Sequence, residues 1–485
     1  MFNGYDKKTF WRSLQGFVIM SVLMKLTGGA GFAVVAGLSV IAMLVGRTKL
    51  VLFCLILANC ALMGNSWFFP KDFIFGVAHR GMLVVLGACL AAKVFGGRSY
   101  KVLTPFMWIL PFIIYMIVPS LNGWAPMVSM LKIFLFIMVY MAYMGSAKMA
   151  LAVRGDASGH FRAMIVAAIA FFIFGSVLIM PFPGISYMGA DELLNDSAFM
   201  ADLEAGRAVS LFKGMTWHSQ TLGPLMSVFC VFMVGDMLFN IKRMDKLYAV
   251  MILICPFLIY KTSSRTAMAV LICGVAAIVL LFMNSHSIKR TWKAKIMNIA
   301  FFASAFMVLS VIIVPGIREG IVRYALKYNK EESVKFSAEE MISTRQGLMD
   351  EAIYNWRKKP WIGNGFQVSA KMQYERREGL KDYLTAPIEK GVWVTAILEE
   401  GGIVGLILFC AFWIPAFFSL WAGRFYATAA MLLSFIIMNM AEFIILSMSG
   451  GGGFLWSIVF ILAILDGKRE MDESWQVAPM VGYWR

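Results

Sequence analysis

The feature that most constrains this chain is the recurrence of apolar runs close to the length that crosses a bilayer. Such runs occupy about 14–27, 30–46, 50–64, 74–94, 102–119, 126–145, 163–182, 217–239, 247–260, 266–283, 297–315, 402–421, 425–446 and 454–465. Roughly 20 helical residues cover the hydrocarbon layer. A single soluble core stops growing near ~300 residues, and could not hide the 60% hydrophobic residues of this 485-residue chain. Charged residues make up 15%, against about 25% in soluble domains. The expected fold class is therefore all-α: a polytopic helical membrane protein with about 14 (12–14) transmembrane helices, and with the lipid bilayer as its solvent. Near Lys25 and Gly28-Gly29 the first run could instead be half of a re-entrant pair.

Charge orients these spans, because Lys and Arg concentrate in cytoplasmic segments. With the N-terminus inside, the cytoplasmic segments collect 22 basic residues and the short outer segments eight. Both termini are then cytoplasmic. The remaining 14 lie in one long outer segment, which escapes the rule. The net charge of +16 is largely this bias, and no basic stripe interleaved with aromatics points to nucleic acid. The expected division is 1–315 as a membrane domain of eleven spans, 316–401 as a large outer loop, 402–465 as the last three spans and 466–485 as a cytoplasmic tail. The basic, then apolar start lacks a small-residue cleavage site and reads as an uncleaved span.

All seven cysteines fall inside apolar runs and read as small buried hydrophobes, with no metal site and no cofactor. Mid-span charge is sparse, with Lys132 and Glu442 the main candidates, both toward outer ends.

Three outer features carry chemistry. The segment 183–218 places Arg207, Lys213 and His218 at the mouth of a span. The short turn Lys261-Thr262-Ser263-Ser264-Arg265-Thr266 fixes Arg265 at the membrane interface. The long loop holds Arg323, Arg345, Arg357 and the run Pro360-Trp361-Ile362-Gly363-Asn364-Gly365-Phe366. It closes on Glu389-Lys390-Gly391-Val392-Trp393, then Leu398-Glu399-Glu400-Gly401-Gly402-Ile403. Residues from Ala338 to Trp356 are patterned as a helix, with Met341, Leu348, Ala352 and Ile353 near one face. Singly these signals are ordinary: arginines at span ends snorkel, and glycines make turns. Together they fit an anionic phosphate held at the outer surface, since guanidinium forks bind phosphate bidentately and stay charged.

The segment from Arg207 through Gly214-Met215-Thr216-Trp217-His218-Ser219-Gln220-Thr221-Leu222-Gly223 resembles the R…G…H-P-N-x-L-G pattern of bacterial O-antigen polymerases and ligases. Ser264-Arg265-Thr266-Ala267 is similar to their S-R-x-A turn. Arg345 followed by Pro360-Trp361-Ile362-Gly363-Asn364-Gly365-Phe366 resembles their R…W…P-L-x-G-x-G-x-F loop, and Leu398-Glu399-Glu400-Gly401-Gly402 the L-A-E-x-G that follows. The resemblance covers about 207–420 in order.

It implies a metal-independent inverting glycosyl transfer at the periplasmic face of the inner membrane, from a polyprenyl-diphosphate-linked oligosaccharide. It assigns the donor diphosphate to Arg207, Arg265 and Arg345. Candidate partners are chain-length or export proteins of the same pathway. The ligase pattern places H-N-x-Y about nine residues before its glutamate. Here that stretch reads Glu389-Lys390-Gly391-Val392-Trp393, which favours polymerisation of O-antigen or exopolysaccharide repeat units over transfer to lipid A-core. His218, Glu389 or no protein base remain open as the catalytic base. A flippase is the rival of another class, and should carry charge along a central cavity. A non-catalytic scaffold of an export complex would leave the outer arginines without a shared target.

Overall fold

In the computed structural model, residues 6–96, 109–152, 157–188, 212–239, 246–262, 264–284, 338–368, 392–422 and 425–440 are described. The first helix, α1 (Lys7–Thr27), starts at Asp6, whose carboxylate accepts from the Lys8 N–H at 3.0 Å and the Thr9 hydroxyl at 2.6 Å. Such a cap satisfies donors that the first turn leaves open. At 21 residues, α1 is one continuous helix ~31 Å long. Gly28, at φ 63°, turns the chain into α2 (Gly29–Leu44). After α3 (Thr48–Met63) comes α4 (Phe73–Gly96). Asp72 joins the starts of α2 and α4 by accepting from the Gly29 N–H at 2.8 Å and the Phe75 N–H at 2.7 Å. Those two amides, Phe75's first, hold its carboxyl below the usual range.

Two short pieces, α5 (Ile109–Tyr115) and α6 (Ile117–Leu121), lead to α7 (Pro126–Ala152), α8 (Ala157–Ile179) and the single turn α9 (Pro183–Ser186). Helices α10 (Ser219–Phe239), α11 (Lys246–Lys261) and α12 (Arg265–Asn284) follow. Then come α13 (Ala338–Lys358), α14 (Trp393–Ala422) and α15 (Tyr426–Met438). Six of the described helices are long and apolar enough to cross a membrane, within α4, α7, α8, α10, α12 and α14. Shorter apolar helices lie at Gly29–Leu44, Lys49–Met63, Ile109–Leu121 and Tyr426–Met438. The protein is an all-α polytopic membrane protein. The runs expected at 297–315 and 454–465 lie outside the described residues, as does Glu442.

Helices α8 and α10 form the centre, with 78% of each apolar window buried, against 39% for α4 and α12. Helix α8 packs on α1 and α3, and α10 on α11, α12 and α15. Glycines set the close approaches: Gly87 of α4 lies on the backbone of Met138 in α7, and Gly145 of α7 on Leu90. Small residues bring membrane helices together where polar glue is scarce. These contacts, and the pairs Gly223–Ala267 and Gly235–Ile278 between α10 and α12, make both pairs parallel.

The helix ends therefore sort onto two faces. One gathers the α1–α2 turn, the α3–α4 connection, residues 122–124 and 212–218, Thr262 and Ser264, and the start of α14. These are the ends the sequence reading assigns to the outer side. The other face holds Asp6 and His160, 3.2 Å apart, and Arg162 paired with Asp236.

That last pair extends the reading of mid-span charge, which named Lys132 and Glu442: Arg162 and Asp236 are both buried, within α8 and α10. Tyr248 of α11 donates to the other Asp236 oxygen at 3.0 Å. Burying two charges is tolerable when each is paired and hydrogen-bonded, and the trio ties the N-terminal helices to the C-terminal ones. The cysteines correct an expectation. Cys54, Cys60, Cys230 and Cys255 are buried, but Cys89 and Cys410 are half-buried and Cys273 is exposed. On an apolar span an exposed thiol needs no protein partner, since lipid can surround it.

Candidate active site at the outer face

The sequence-selected residues fall into two built regions. The first surrounds the mouth of α10. Residues 212–217 form an irregular strap held by buried Asn65 from the α3–α4 connection. Its backbone N–H donates to the Met215 carbonyl at 2.8 Å, and its side-chain amide to the carbonyls of Ile185 (2.7 Å) and Gly214 (2.8 Å). Trp217 N–H donates to the Met63 carbonyl at 2.8 Å, and Met215 N–H to the Ser176 hydroxyl at 2.9 Å. The strap thus delivers His218 at the start of α10. Its carbonyl accepts from the Thr221 N–H at 3.1 Å, its side chain is half-buried, and its ring centre lies 5.4 Å from that of Trp217. Lys213 is buried beneath the strap.

One turn into α10, Gly223 sits against the α11–α12 turn. A Cβ there would stand 2.6 Å from Thr262 Oγ1 and 2.8 Å from the Ser264 side chain. This close approach brings the mouths of α10 and α12 together, so His218 and the half-buried Arg265 belong to one neighbourhood. The two lie 47 positions apart in the chain. Arg207 and Glu389 lie outside the described residues. Arg345 occupies the first half of α13, and only its backbone is described.

The second region is an interlock. Turn 360–366 closes on the kink of α14, where Gly402 takes φ 64°. Asn364 N–H donates to the Glu399 carbonyl at 2.9 Å, Gly365 N–H to Glu400 at 3.0 Å, and Ile403 N–H to Pro360 at 2.9 Å. Asn355 of α13 donates to Glu399 Oε1 at 2.9 Å, and Tyr115 donates to the Gly401 carbonyl at 2.9 Å. Below the turn, Phe366 N–H donates to the Ser120 hydroxyl at 3.1 Å, and Ser129 donates to the Phe366 carbonyl at 2.9 Å. Trp124 N–H donates to the Asn364 carbonyl at 3.2 Å. Only glycine suits two of these positions: Gly363 has φ 79° and backbone of Glu400 at 2.5 Å from a would-be Cβ, and a Cβ on Gly402 would overlap the Trp361 carbonyl.

Just beyond, Gln367 has φ 51°, the one non-glycine positive φ among the described residues. Its carbonyl accepts from the buried ammonium of Lys132 at 2.9 Å. Lys132 therefore ties α7 to the loop, in keeping with its expected place toward an outer end. In α13, Ala352 is buried and Leu348 and Ile353 are half-buried, on the face the pattern indicates.

A family model described as O-antigen ligase matches residues 249–410. The match supports a place in the O-antigen ligase/polymerase superfamily. The matched stretch takes in Arg265, Arg345, Glu389 and the 360–366 turn with the α14 kink, while Arg207, His218 and the Tyr115, Ser120, Trp124 and Ser129 partners of the interlock precede it. No curated protein matches the chain significantly.

Sequence reasoning missed Asn65, Asn355, Tyr115 and the Ser120–Ser129 pair. One had a signal: Asn355 stands three residues after Ala352 and seven after Leu348, a polar group on an apolar stripe. Asn65 had none, because its partners come from segments about 120 and 150 positions away. Among the described residues no group of three or more His, Cys, Asp or Glu could hold a metal ion.

Proposed function

We propose that this protein transfers glycan at the periplasmic face of the bacterial inner membrane, both termini being cytoplasmic. The donor is a polyprenyl-diphosphate-linked oligosaccharide, and the favoured product is a polymer of O-antigen or exopolysaccharide repeat units. The observation that carries the reading is the junction of the α10 and α12 mouths, where Gly223 packs on Thr262 and Ser264 and so brings His218 and Arg265 to one neighbourhood. The family match supports glycan transfer of the ligase or polymerase type.

In this mechanism Arg265, with Arg207 and Arg345, holds the diphosphate. Charge grows on the leaving oxygen as the glycosidic bond forms, and fixed guanidinium groups aimed at it can supply much of the catalysis without a metal. The reaction inverts the anomeric carbon by direct attack of the acceptor hydroxyl. His218 or Glu389 takes its proton, which would contribute ~10²–10⁴-fold. The absence of His between Glu389 and Trp393 favours polymerase over ligase. A lipid-linked oligosaccharide flippase is the weaker reading: the buried pair Arg162–Asp236 is held with Tyr248 at the opposite end from Arg265, and buried Lys132 is bound to the Gln367 carbonyl of the loop.

The test is polymerisation of purified lipid-linked repeat unit by the purified protein. His218→Ala and Glu389→Gln are compared; a base should lower turnover by about 10²-fold with donor binding little changed. If neither slows the reaction tenfold, the arginines act without a side-chain base. Transfer only onto a lipid A-core acceptor would instead favour ligase. Sidedness is read separately: a reporter active only outside should work when fused near Glu339 and fail near Asp245 or Lys293.

A further inference from the structure

Two tryptophans beside the α10 mouth have no part in the mechanism above. Both belong to the frame built on Asn65. Its Oδ1 accepts from the Trp67 N–H at 3.0 Å, and its other bonds hold the strap that ends in Trp217. Asn65 is 1% exposed, whereas Trp67 is 43% and Trp217 48% exposed. A rigid buried frame thus presents two open indoles. An ammonium stands over each ring: Lys25, from the last turn of α1, lies 4.1 Å from the Trp67 centroid, and Lys71 lies 5.0 Å from that of Trp217. Trp217 in turn abuts His218.

We propose that Trp67–Lys25 and Trp217–Lys71 form a glycan subsite selective for sugars that bear a carboxylate. The proposal rests on the glycan-transfer reading of the adjoining mouth. A sugar ring offers a face of C–H bonds, and a fixed indole supplies a broad apolar surface at small entropic cost. The lysines supply the selectivity. An ammonium over an exposed ring is held weakly, whereas a charge-assisted hydrogen bond to a carboxylate is stronger. A uronate would draw the Lys25 ammonium off its indole and pack its ring on the face laid open, while Lys71 adds positive charge beside Trp217. Neither described ion pair engages Lys25. Two such pairs hung from one frame suit successive sugars of an oligosaccharide.

Tryptophan also anchors proteins at the lipid–water interface. That role suits indoles on the outward sides of spans. Trp67 and Trp217 instead lie on connections between helices, fixed by backbone hydrogen bonds, and Trp217 is set next to His218, which favours glycan.

The experiment is direct binding to the full-length protein in nanodiscs of zwitterionic lipid, measured calorimetrically with galacturonic acid hexamer and with maltohexaose. The acidic hexamer should bind at least about tenfold more tightly, and added salt should erode the difference. Lys25→Gln with Lys71→Gln should abolish most of that preference and leave maltohexaose binding unchanged. Trp67→Ala and Trp217→Ala should weaken both sugars by about tenfold, with Phe at either position restoring part. Equal binding of the two sugars, no binding to the wild type, or indifference to all four substitutions would overturn the subsite. Substitutions that alter only retention in the bilayer would overturn it as well, in favour of anchoring. Turnover is not read, so failure of the transfer reaction and failure of the subsite remain separate results.

Discussion

The turn–kink interlock and the α10–α12 mouth both carry residues that the sequence singles out, yet they are finished in opposite ways. In the interlock, backbone amides of 364, 365 and 403 are matched to carbonyls of 399, 400 and 360, and Gly363, Asn364, Glu399, Glu400 and Gly402 are all buried. At the mouth the frame is buried, but His218, Trp217 and Arg265 remain half-buried or exposed. A buried polar motif must satisfy itself, because each orphaned group costs free energy. A motif that meets substrate must keep reach. Under the proposed function, the interlock serves construction and the mouth serves chemistry.

The sharpest way to break this division is Gly402→Ala. It adds a Cβ onto the Trp361 carbonyl at a positive φ, and should destabilise the protein by ~3 kcal/mol or more. Membrane level and melting temperature in detergent should both fall, with activity lost in proportion. A well-folded but inactive Gly402→Ala protein would move the interlock into the chemistry.

Arg265→Ala should behave in the reverse manner. Turnover should drop ~10²–10³-fold, as for loss of one charge-stabilising donor, while level and melting temperature stay near wild type. Arg265→Lys should rescue poorly, since an ammonium cannot make the bidentate fork. Full polymer yield from the alanine variant would remove Arg265 from the site.

Asn355→Ala probes the interlock more gently. It removes the donor to Glu399 Oε1 and should cost ~1–3 kcal/mol, read as a lower unfolding midpoint with kcat unchanged for the surviving fold. The smallest effect belongs to Asp72. Its carboxyl is held low by the Phe75 and Gly29 amides, so its contribution is fully present above the ordinary aspartate value, ~3.9. It is lost as pH falls through the lower folded value. Asp72→Asn should therefore lower stability slightly at neutral pH, flatten the acid limb of the stability curve, and change little in strong acid, where the wild-type carboxyl is itself protonated.

Much of the fold was legible along the chain because the bilayer imposes it locally. Each span must close its own backbone hydrogen bonds within lipid, so its length and hydropathy reside in its own residues. The starts of α2, α4, α7, α10 and α12 all fall within a few residues of the apolar runs read from sequence. The helix Ala338–Lys358 was equally readable, since amphipathic spacing is local too. Arg162–Asp236 was not, because one residue looked like a basic flank and the other like an isolated acid. Only packing of α8 on the α10–α11 pair makes them partners.

By itself, then, the sequence determined the all-α membrane class, the starts of several described spans and the connecting segments worth attention. The tertiary structure decided which glycines were fixed by close approach, which motif was sealed and which lay open, and that Asn65 carries the strap before His218. The physical reason is range. Hydrophobic length and helical period act over neighbouring residues, whereas a buried amide can be satisfied by any segment the fold brings to it. Asn65 takes its partners from the segments at 185 and 214–215, and no local pattern announces them.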